Sequence, residues 1–272
     1  MKIRNITLLL ILISLSNLHA QSVFKVENRL QQIYSYVPNP ISFASFGVDA
    51  DSTRIQVVGG IIDTIKGTIW YQGENNVPRY REYEQLLPAL INDWRNQWSL
   101  DFPFYFVQIA PFENYKGLSS SLRDAQRKTL KTPKTGMVVT LDIGENNDIH
   151  PSNKHDVGSR LAGLALANDY DKPIVASGPL FRSQQINGNK LVLEFDFVGS
   201  GLMSSTLELK EFEIAGSDKN FVPAIAKIVG KTVEVYSNKI GEPKYSRYAW
   251  RDISNASLFN KEGLPASSFS TE

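Results

Sequence analysis

Three short, almost continuously apolar runs recur between residues 67 and 144. They are GTIWYQG (67–73), FPFYFVQIA (102–110) and GMVVTLDIG (136–144). β-Branched and aromatic residues dominate these runs, as is typical of strands that are covered on both faces. The pattern therefore predicts three buried strands.

Segments with helical character separate and follow these predicted strands. They are YREYEQLLPALINDWRNQW (80–98), SSSLRDAQRKTL (119–130) and SNKHDVGSRLAGLALANDY (152–170). Each carries apolar residues at helical spacing, or good helix formers behind a capping residue. Regular alternation of strand and helix predicts an α/β fold with a parallel sheet and right-handed crossovers.

The pattern changes after about Pro173. Short strand-like runs separated by Gly, Asn, Ser and Pro fill the rest of the chain, which is typical of antiparallel β structure. We therefore predict an α/β domain over residues 21–172 and a β-rich domain over 173–272. Residues 21–64 are poorly patterned and too few to supply the further strands of a parallel sheet. We expect the α/β domain to be N-terminally incomplete, with an exposed strand edge that favours self-association.

The N-terminus has the pattern of a secretory signal peptide over residues 1–20. Lys2 and Arg4 precede an apolar stretch, and Ala20 offers a small residue at the cleavage point. The stretch is shorter than the ~20 residues of a membrane-spanning helix, so no span is expected after cleavage. The chain contains no cysteine, which favours a bacterial periplasmic or secreted protein held by its core alone.

Overall charge argues against nucleic-acid binding. The formal net charge is +1, and Lys and Arg alternate with Asp and Glu without a basic run. We therefore do not expect the chain to bind DNA or RNA.

Two polar clusters follow predicted strands directly. QGENN (72–76) follows the first strand and GENNDIHP (144–151) follows the third. Ligands of open parallel sheets bind outside the carboxyl ends of the strands, where both clusters are expected to lie. The two clusters are therefore predicted to share one edge of the sheet and to form the functional site.

His150 is the strongest candidate for chemistry in these clusters. It is predicted to be a general base whose ring is oriented by a nearby carboxylate, as in serine hydrolases. Asp148 is the nearest partner in sequence, with Asp142 and Glu145 as alternatives. The competing interpretation is an ordinary surface histidine. His155 falls in the following helix and is expected to be exposed.

In QGENN, the Gly73 amide and the Asn76 side chain are predicted to donate to a developing oxyanion. The alternative is that these residues merely form a turn. A metal site built from the carboxylates near His150 lacks any known ligand spacing, so no metal or other cofactor is expected.

Longer motifs resemble a known family. They are IKGTIWYQGENNV, LINDWRNQW, PFYFVQIAPF, LRDAQRKTL, TGMVVTLDIGENNDIHPSNKHDVGSRLA, LKEFEIAGSDKNFVPA, RYAW and NKEGLPASSF. In this order, over about residues 65–272, they resemble the bacterial sialate O-acetylesterases, which belong to the wider SGNH esterase fold.

The resemblance implies an SGNH-hydrolase-like (flavodoxin-like) three-layer domain followed by a β-rich antiparallel segment. It implies a secreted carbohydrate esterase that removes acetyl groups from sialic acid or another acetylated glycan, without a metal, by a serine-hydrolase mechanism. The residues carried over are His150 as base, Asp148 as its orienting carboxylate, Gly73 and Asn76 in the oxyanion hole, and Gln72 and Glu74 lining the pocket.

This sequence departs from the family pattern at two points. Asn147 stands where the SGNH pattern has an Asp three residues before the histidine. The family's nucleophilic serine lies in a GQSN-type motif upstream of WYQGE, and no such motif occurs in this chain. None of Ser22, Ser35, Ser42, Ser45 and Ser52 has that context, so the nucleophile is unknown. The leading hypothesis is an esterase, and the alternative is a catalytically inactive, truncated family member or a glycan-binding protein. A metal-assisted hydrolase is a third interpretation, which would require ligands from the loop between Asp142 and His150 to converge on one point.

Overall fold

A computed structural model describes residues 65–254 and 256–272, together with a two-residue strand, β1 (Leu10–Ile11). The chain divides into two compact units, residues 1–66 and 67–272. Apart from β1, the predicted signal peptide (1–20) and the poorly patterned segment (21–64) lie outside the described residues.

Three strands form the predicted parallel sheet: β2 (Thr68–Tyr71), β3 (Phe104–Val107) and β4 (Thr135–Val138). They lie side by side in the order β2-β3-β4, and both pairs are parallel. Tyr71 is opposite Val107, which is opposite Val138, so the three strands end level with one another. The parallel α/β arrangement predicted from the sequence is confirmed, and these strand ends form one edge, called the carboxyl edge below.

Helices connect the strands as predicted. Helix α1 (Tyr80–Trp98) lies between β2 and β3, α2 (Ser119–Lys128) lies between β3 and β4, and α3 (Lys154–Asp169) follows β4. Short 3-10 helices, Glu74–Arg79 and Thr129–Lys131, precede α1 and follow α2. None of the helices in the two described ranges has both the length and the apolar character needed to cross a membrane.

The sheet has helices on both faces. On one face, Tyr105, Val107 and Val138 pack with Val157, Leu161 and Leu164 of α3 in one buried cluster. On the other face, Trp70 and Phe104 contact Trp94 of α1, with ring centroids 5.7 to 6.3 Å apart. Because successive strand residues point to opposite faces, α1 and α3 lie on opposite sides. The result is the expected three-layer domain.

The remaining strands are antiparallel, as predicted. One sheet has the order β10-β11-β6-β5, with β5 Leu180–Asn187, β6 Lys190–Asp196, β10 Ile225–Val229 and β11 Thr232–Tyr236. Another has the order β14-β12-β8-β9, with β8 Phe212–Ala215, β9 Val222–Pro223, β12 Tyr245–Tyr248 and β14 Phe269–Ser270. The third pairs β13 (Leu258–Asn260) with β7 (Leu202–Ser204). Phe181 of the first sheet stacks on Phe269 of the second, and Phe195 meets the Phe269 ring edge to face, so aromatic side chains join the two sheets.

Helix α2 attaches the β-rich region to the α/β region. The Arg123 guanidinium is fully buried and donates to the backbone oxygens of Ala249 and Arg251 and to the Ser268 hydroxyl. Asp252 accepts from the Ser119 amide (3.0 Å) at the start of the helix. These contacts fix the two regions together. The predicted domain boundary at residues 172 and 173 stays a prediction.

Candidate active site

The carboxyl edge of the sheet carries both polar clusters that the sequence singled out. Gln72 follows the end of β2, and the segment from Asp142 to His150 follows β4. The Lys154 ammonium at the start of α3 lies over the Tyr71 ring, 5.3 Å from its centroid. This contact joins the end of β2 to the chain that follows His150, so the structure brings the two clusters to the same edge.

The turn after β2 requires a glycine. Gly73 has φ +152°, and a β-carbon there would lie 3.0 Å from Ile109 Cγ2 and 3.1 Å from Leu122 Cδ2. Side chains rarely adopt this backbone conformation, and the neighbouring atoms leave little room for one. The backbone conformation of the turn is by itself enough to explain the glycine at position 73. The role of the Gly73 amide as an oxyanion donor stays a prediction.

Hydrogen bonds hold the turn in place. Gln72 Nε2 donates to Asn76 Oδ1 (2.7 Å), and the Tyr83 hydroxyl donates to the Gln72 backbone oxygen (3.0 Å). Asn76 is buried, and its Oδ1 is occupied by this bond, so Nδ2 is the group it can offer to a ligand. This geometry suits a donor that faces a developing negative charge.

Gln126 was not anticipated from the sequence. It is fully buried in α2, accepts from the Ile109 amide (2.9 Å), and donates to the backbone oxygens of Gln72 (3.3 Å) and Val107 (3.2 Å). One side chain thus clamps the ends of β2 and β3. A polar residue on the buried face of an amphipathic helix is the sequence signal that indicates such a role.

Glu74 is the acid of the QGENN turn. The nearby backbone groups of Gly73 and of Glu74 itself lower the pKa of this carboxyl, but less than burial raises it. Burial raises the pKa of Glu74, while the nearby charges of His150 and Lys154 act in the opposite direction. Glu74 therefore lies within electrostatic range of the predicted base.

Asp148 bonds to the backbone of His150. Asp148 Oδ1 accepts from the His150 amide at 2.7 Å, as in an Asx turn. The loop is closed further by Glu145, whose carboxylate accepts from the amide (2.6 Å) and the hydroxyl of Ser152. These bonds to Ser152 lower the pKa of Glu145. The role of Asp148 as orienter of the His150 ring stays a prediction.

Asp142, the other alternative partner of His150, forms a bidentate ion pair with Arg160 of α3. The two oxygen–nitrogen distances are 2.7 and 2.6 Å, and Arg160 also donates to the Val139 backbone oxygen (2.7 Å). Asp142 thus ties the end of β4 to the helix packed against it.

Lys154 is a second site residue that the sequence reading missed. It is half-buried, and burial lowers its pKa, while Glu74, Asp148 and Glu145 act in the opposite direction. The ammonium places positive charge beside the two clusters. The sequence does not indicate this role, because it depends on α3 beginning at the carboxyl edge with Lys154 as its first residue.

His155 is exposed, as expected. Its side chain is 89% accessible and lies 3.2 Å from Asp156. Among the residues that the structure describes, no group of His, Asp and Glu is arranged to hold a metal ion.

Comparisons with known proteins agree with this geometry. Residues 50–168 match the family model described as carbohydrate esterase, sialic acid-specific acetylesterase. Sialate O-acetylesterase of Mus musculus is 30% identical over 69% of this chain and 40% of its own length. The Rattus norvegicus protein is 31% identical over 56% of this chain and 32% of its own length.

A solved structure is similar over a larger part of the chain. It is described as a novel carbohydrate acetylesterase from Xanthomonas citri and is 40% identical, with a TM-score of 0.74. The match covers 77% of this chain and 51% of that one. The chain spans less than half the length of the curated relatives that it matches.

The fold and these matches show that the chain is similar to carbohydrate esterases. Within that class the similarity is to sialate O-acetylesterases, which confirms the resemblance predicted from the motifs.

Proposed function

We propose that the chain hydrolyses O-acetyl esters on sialic acid or a related acetylated sugar, in the bacterial periplasm or outside the cell. A serine hydroxyl attacks the acetyl carbonyl while His150 removes its proton, and the ester C–O bond then breaks as the protonated His150 returns that proton to the departing sugar oxygen. A water molecule, deprotonated by His150, then hydrolyses the acetyl-enzyme and releases acetate and the free serine. The Asn76 amide and the Gly73 N–H donate to the oxyanion.

The observation that carries this proposal is the meeting of the two clusters at one edge of the sheet. The first cluster follows β2 and the second follows β4, the strands of this parallel sheet end level with one another, and the Lys154 ammonium lies 5.3 Å from the centroid of the Tyr71 ring. Base, hydrogen-bond donors and a fixed turn thus surround the place where ligands of parallel sheets bind.

A binding function without catalysis is the second candidate. Its basis is the sequence, in which no GQSN-type serine motif precedes WYQGE. In this alternative the chain binds an acetylated glycan without hydrolysing it.

The test is acetate release by the purified full chain from O-acetylated sialic acid and from 4-nitrophenyl acetate. His150→Ala should abolish release, whereas His155→Ala, at an exposed histidine five residues away, should leave it unchanged. A serine-directed fluorophosphonate followed by peptide mass spectrometry would identify the nucleophile. Equal activity in the two variants would exclude His150 as the base. Glycan binding without acetate release would support the second candidate.

A further inference from the structure

The chain that leaves β3 contacts both polar clusters. Strand β3 is the middle one of the three parallel strands, with β2 on one side and β4 on the other. The chain between the end of β3 and the start of α2, residues 108–118, is called the middle segment below. A β-carbon at Gly73 would lie 3.0 Å from Ile109 Cγ2, and one at Gly144 would lie 2.6 Å from Pro111 Cδ. The middle segment therefore packs directly against a glycine of each cluster.

A hydrogen bond joins the middle segment to the histidine loop, residues 142–150. The Glu113 amide donates to the backbone oxygen of Asn146 at 2.8 Å. Asn146 is four residues before His150, whose own amide is bonded to Asp148 within the same short loop. Because the loop is short and internally bonded, we expect a displacement of Glu113 to move His150 as well.

The far end of the middle segment has a backbone that needs support from outside. Lys116 has φ +56° and Gly117 has φ +79°, so two consecutive residues are left-handed. This conformation is unfavourable for a residue with a side chain and persists where surrounding contacts hold it. Helix α2 begins directly afterwards, and Leu118, the residue before it, provides no side-chain cap. The first N–H groups of the helix therefore need acceptors from another part of the chain.

Asp252 of the β-rich region provides acceptors at this place. Its Oδ2 accepts from the Gly117 amide, and its Oδ1 accepts from the Ser119 amide (3.0 Å) and hydroxyl (2.8 Å). A carboxylate here also interacts favourably with the positive end of the helix dipole. Asp252 is itself held in place, because the buried Arg123 guanidinium donates to the backbone oxygen of Arg251, the residue directly before it.

From these contacts we infer that Asp252 is a positioning residue of the active site. It holds the middle segment, and the middle segment holds the histidine loop. The inference rests on the proposed esterase function, in which His150 must lie within hydrogen-bond reach of the group that it deprotonates. The β-rich region thus supports catalysis through these contacts, without placing a group of its own on the substrate.

The variant that tests this role is Asp252→Asn. It keeps the shape of the side chain and the Oδ1 acceptor for Ser119, but its amide nitrogen cannot accept from the Gly117 amide. We expect kcat to fall by the same factor for O-acetylated sialic acid and for 4-nitrophenyl acetate, with little change in KM. The factor is up to about 10²-fold, because a displacement of about 1 Å that originates away from the chemistry can cost that much.

The matched control is Asp218→Asn, also in the β-rich region. Asp218 accepts from the Asn220 amide within its own turn, so its substitution should leave kcat unchanged. Urea unfolding checks that both variants are folded under the assay conditions. If Asp252→Asn only lowered the urea midpoint and kept the wild-type kcat, Asp252 would be a structural residue and the inference would be wrong. A loss of activity with the sugar ester alone would also overturn it, because a displaced His150 slows both substrates.

Amide hydrogen exchange gives a second readout, which does not depend on activity. Asp252→Asn should accelerate exchange at the Gly117 amide, which loses its acceptor, and also at the Glu113 and His150 amides. Asp218→Asn should leave these three amides unchanged. Faster exchange at Gly117 alone would overturn the inference. A wild-type chain that released no acetate but showed the expected exchange pattern would refute the proposed function and leave the coupling of Asp252 to the histidine loop intact.

Discussion

The sequence predicts single residues of this site where a chemically suitable side chain stands directly after a predicted strand. His150 and the QGENN turn stand out because polar residues directly follow apolar strands. Gln126 and Lys154 do not stand out, because their roles depend on which strand ends their helices approach in the folded chain. The sequence also does not identify the partner of each carboxylate, because it does not show whether Asp148 bonds to the ring or to the backbone amide of His150.

The turn at Gly73 gives a first prediction. Gly73→Ala should reduce the free energy of unfolding by about 1–3 kcal/mol, because the side chain must enter a disfavoured backbone region. Contacts of 3.0 to 3.1 Å around the new methyl add to the loss. Urea unfolding measures it. Gly117→Ala is the control, since Gly117 has φ +79° but no atom within 4 Å of a β-carbon. A loss at Gly73 no larger than at Gly117 would contradict the packing part of the argument.

Glu74 gives a pH-dependent prediction. Burial raises its pKa above the ordinary value of 4.5, so the native chain binds this proton more tightly than the unfolded chain does. The stability associated with Glu74 is therefore fully present below the unfolded pKa and is lost as pH rises through the native pKa.

Glu74→Gln should remove this dependence, so that its free energy of unfolding, relative to wild type, increases as pH rises from about 4 to about 8. Urea unfolding at a series of pH values checks the slope. Glu82→Gln, at an exposed position, should leave the slope unchanged. A Glu74→Gln difference that is constant with pH would refute the burial argument.

At the level of elements, the alternation of strands and helices was predictable, and the strand lengths were not. The predicted runs of seven to nine residues are strands of four residues each. After Tyr71 the chain turns at Gly73 into a 3-10 helix, and after Val138 it turns into the histidine loop. Apolar residues continue past the strand ends because these segments are also buried, so hydrophobicity alone does not mark where the hydrogen-bonded ladder stops.

The clamp made by α2 on two strand ends is testable. Gln126→Leu preserves the approximate volume but leaves the Ile109 amide and the Val107 backbone oxygen without this partner. We expect a loss of about 2–4 kcal/mol, because each buried polar group left unsatisfied costs about 1–3 kcal/mol. Gln85→Leu, on the exposed side of α1, should change stability little. Equal stability of the two variants in urea would show that Gln126 does not act as a clamp.

For the molecule as a whole, the short apolar runs and turns predict that the β-rich region is antiparallel, but they do not predict which strands pair with each other. Strand β6 pairs with β11, which is distant in sequence, and strand β14, near the end of the chain, carries Phe269, whose ring contacts the other sheet. Such pairings depend on three-dimensional packing, and nothing in the local pattern selects them.

The attachment between the two regions supplies the last prediction. Arg123 is fully buried, and burial lowers its pKa to about 10, while Asp252, Tyr115 and Glu211 act in the opposite direction. Replacing both partners of a buried charge with apolar groups can be neutral, but removing the arginine alone leaves carbonyl oxygens without donors. Arg123→Met should therefore lose about 3 kcal/mol or more, at about 1–3 kcal/mol for each acceptor left unsatisfied.

Because the lost contacts join α2 to the backbone around Ala249 and to Ser268, the variant should also become more sensitive to proteolysis between α3 and β5. Arg127→Met is the matched control, since Arg127 bonds to Asp124 within the same helix and does not reach the β-rich region. If Arg123→Met unfolded at the same urea concentration as Arg127→Met, with the same proteolytic pattern, the buried guanidinium would not be what holds the two regions together.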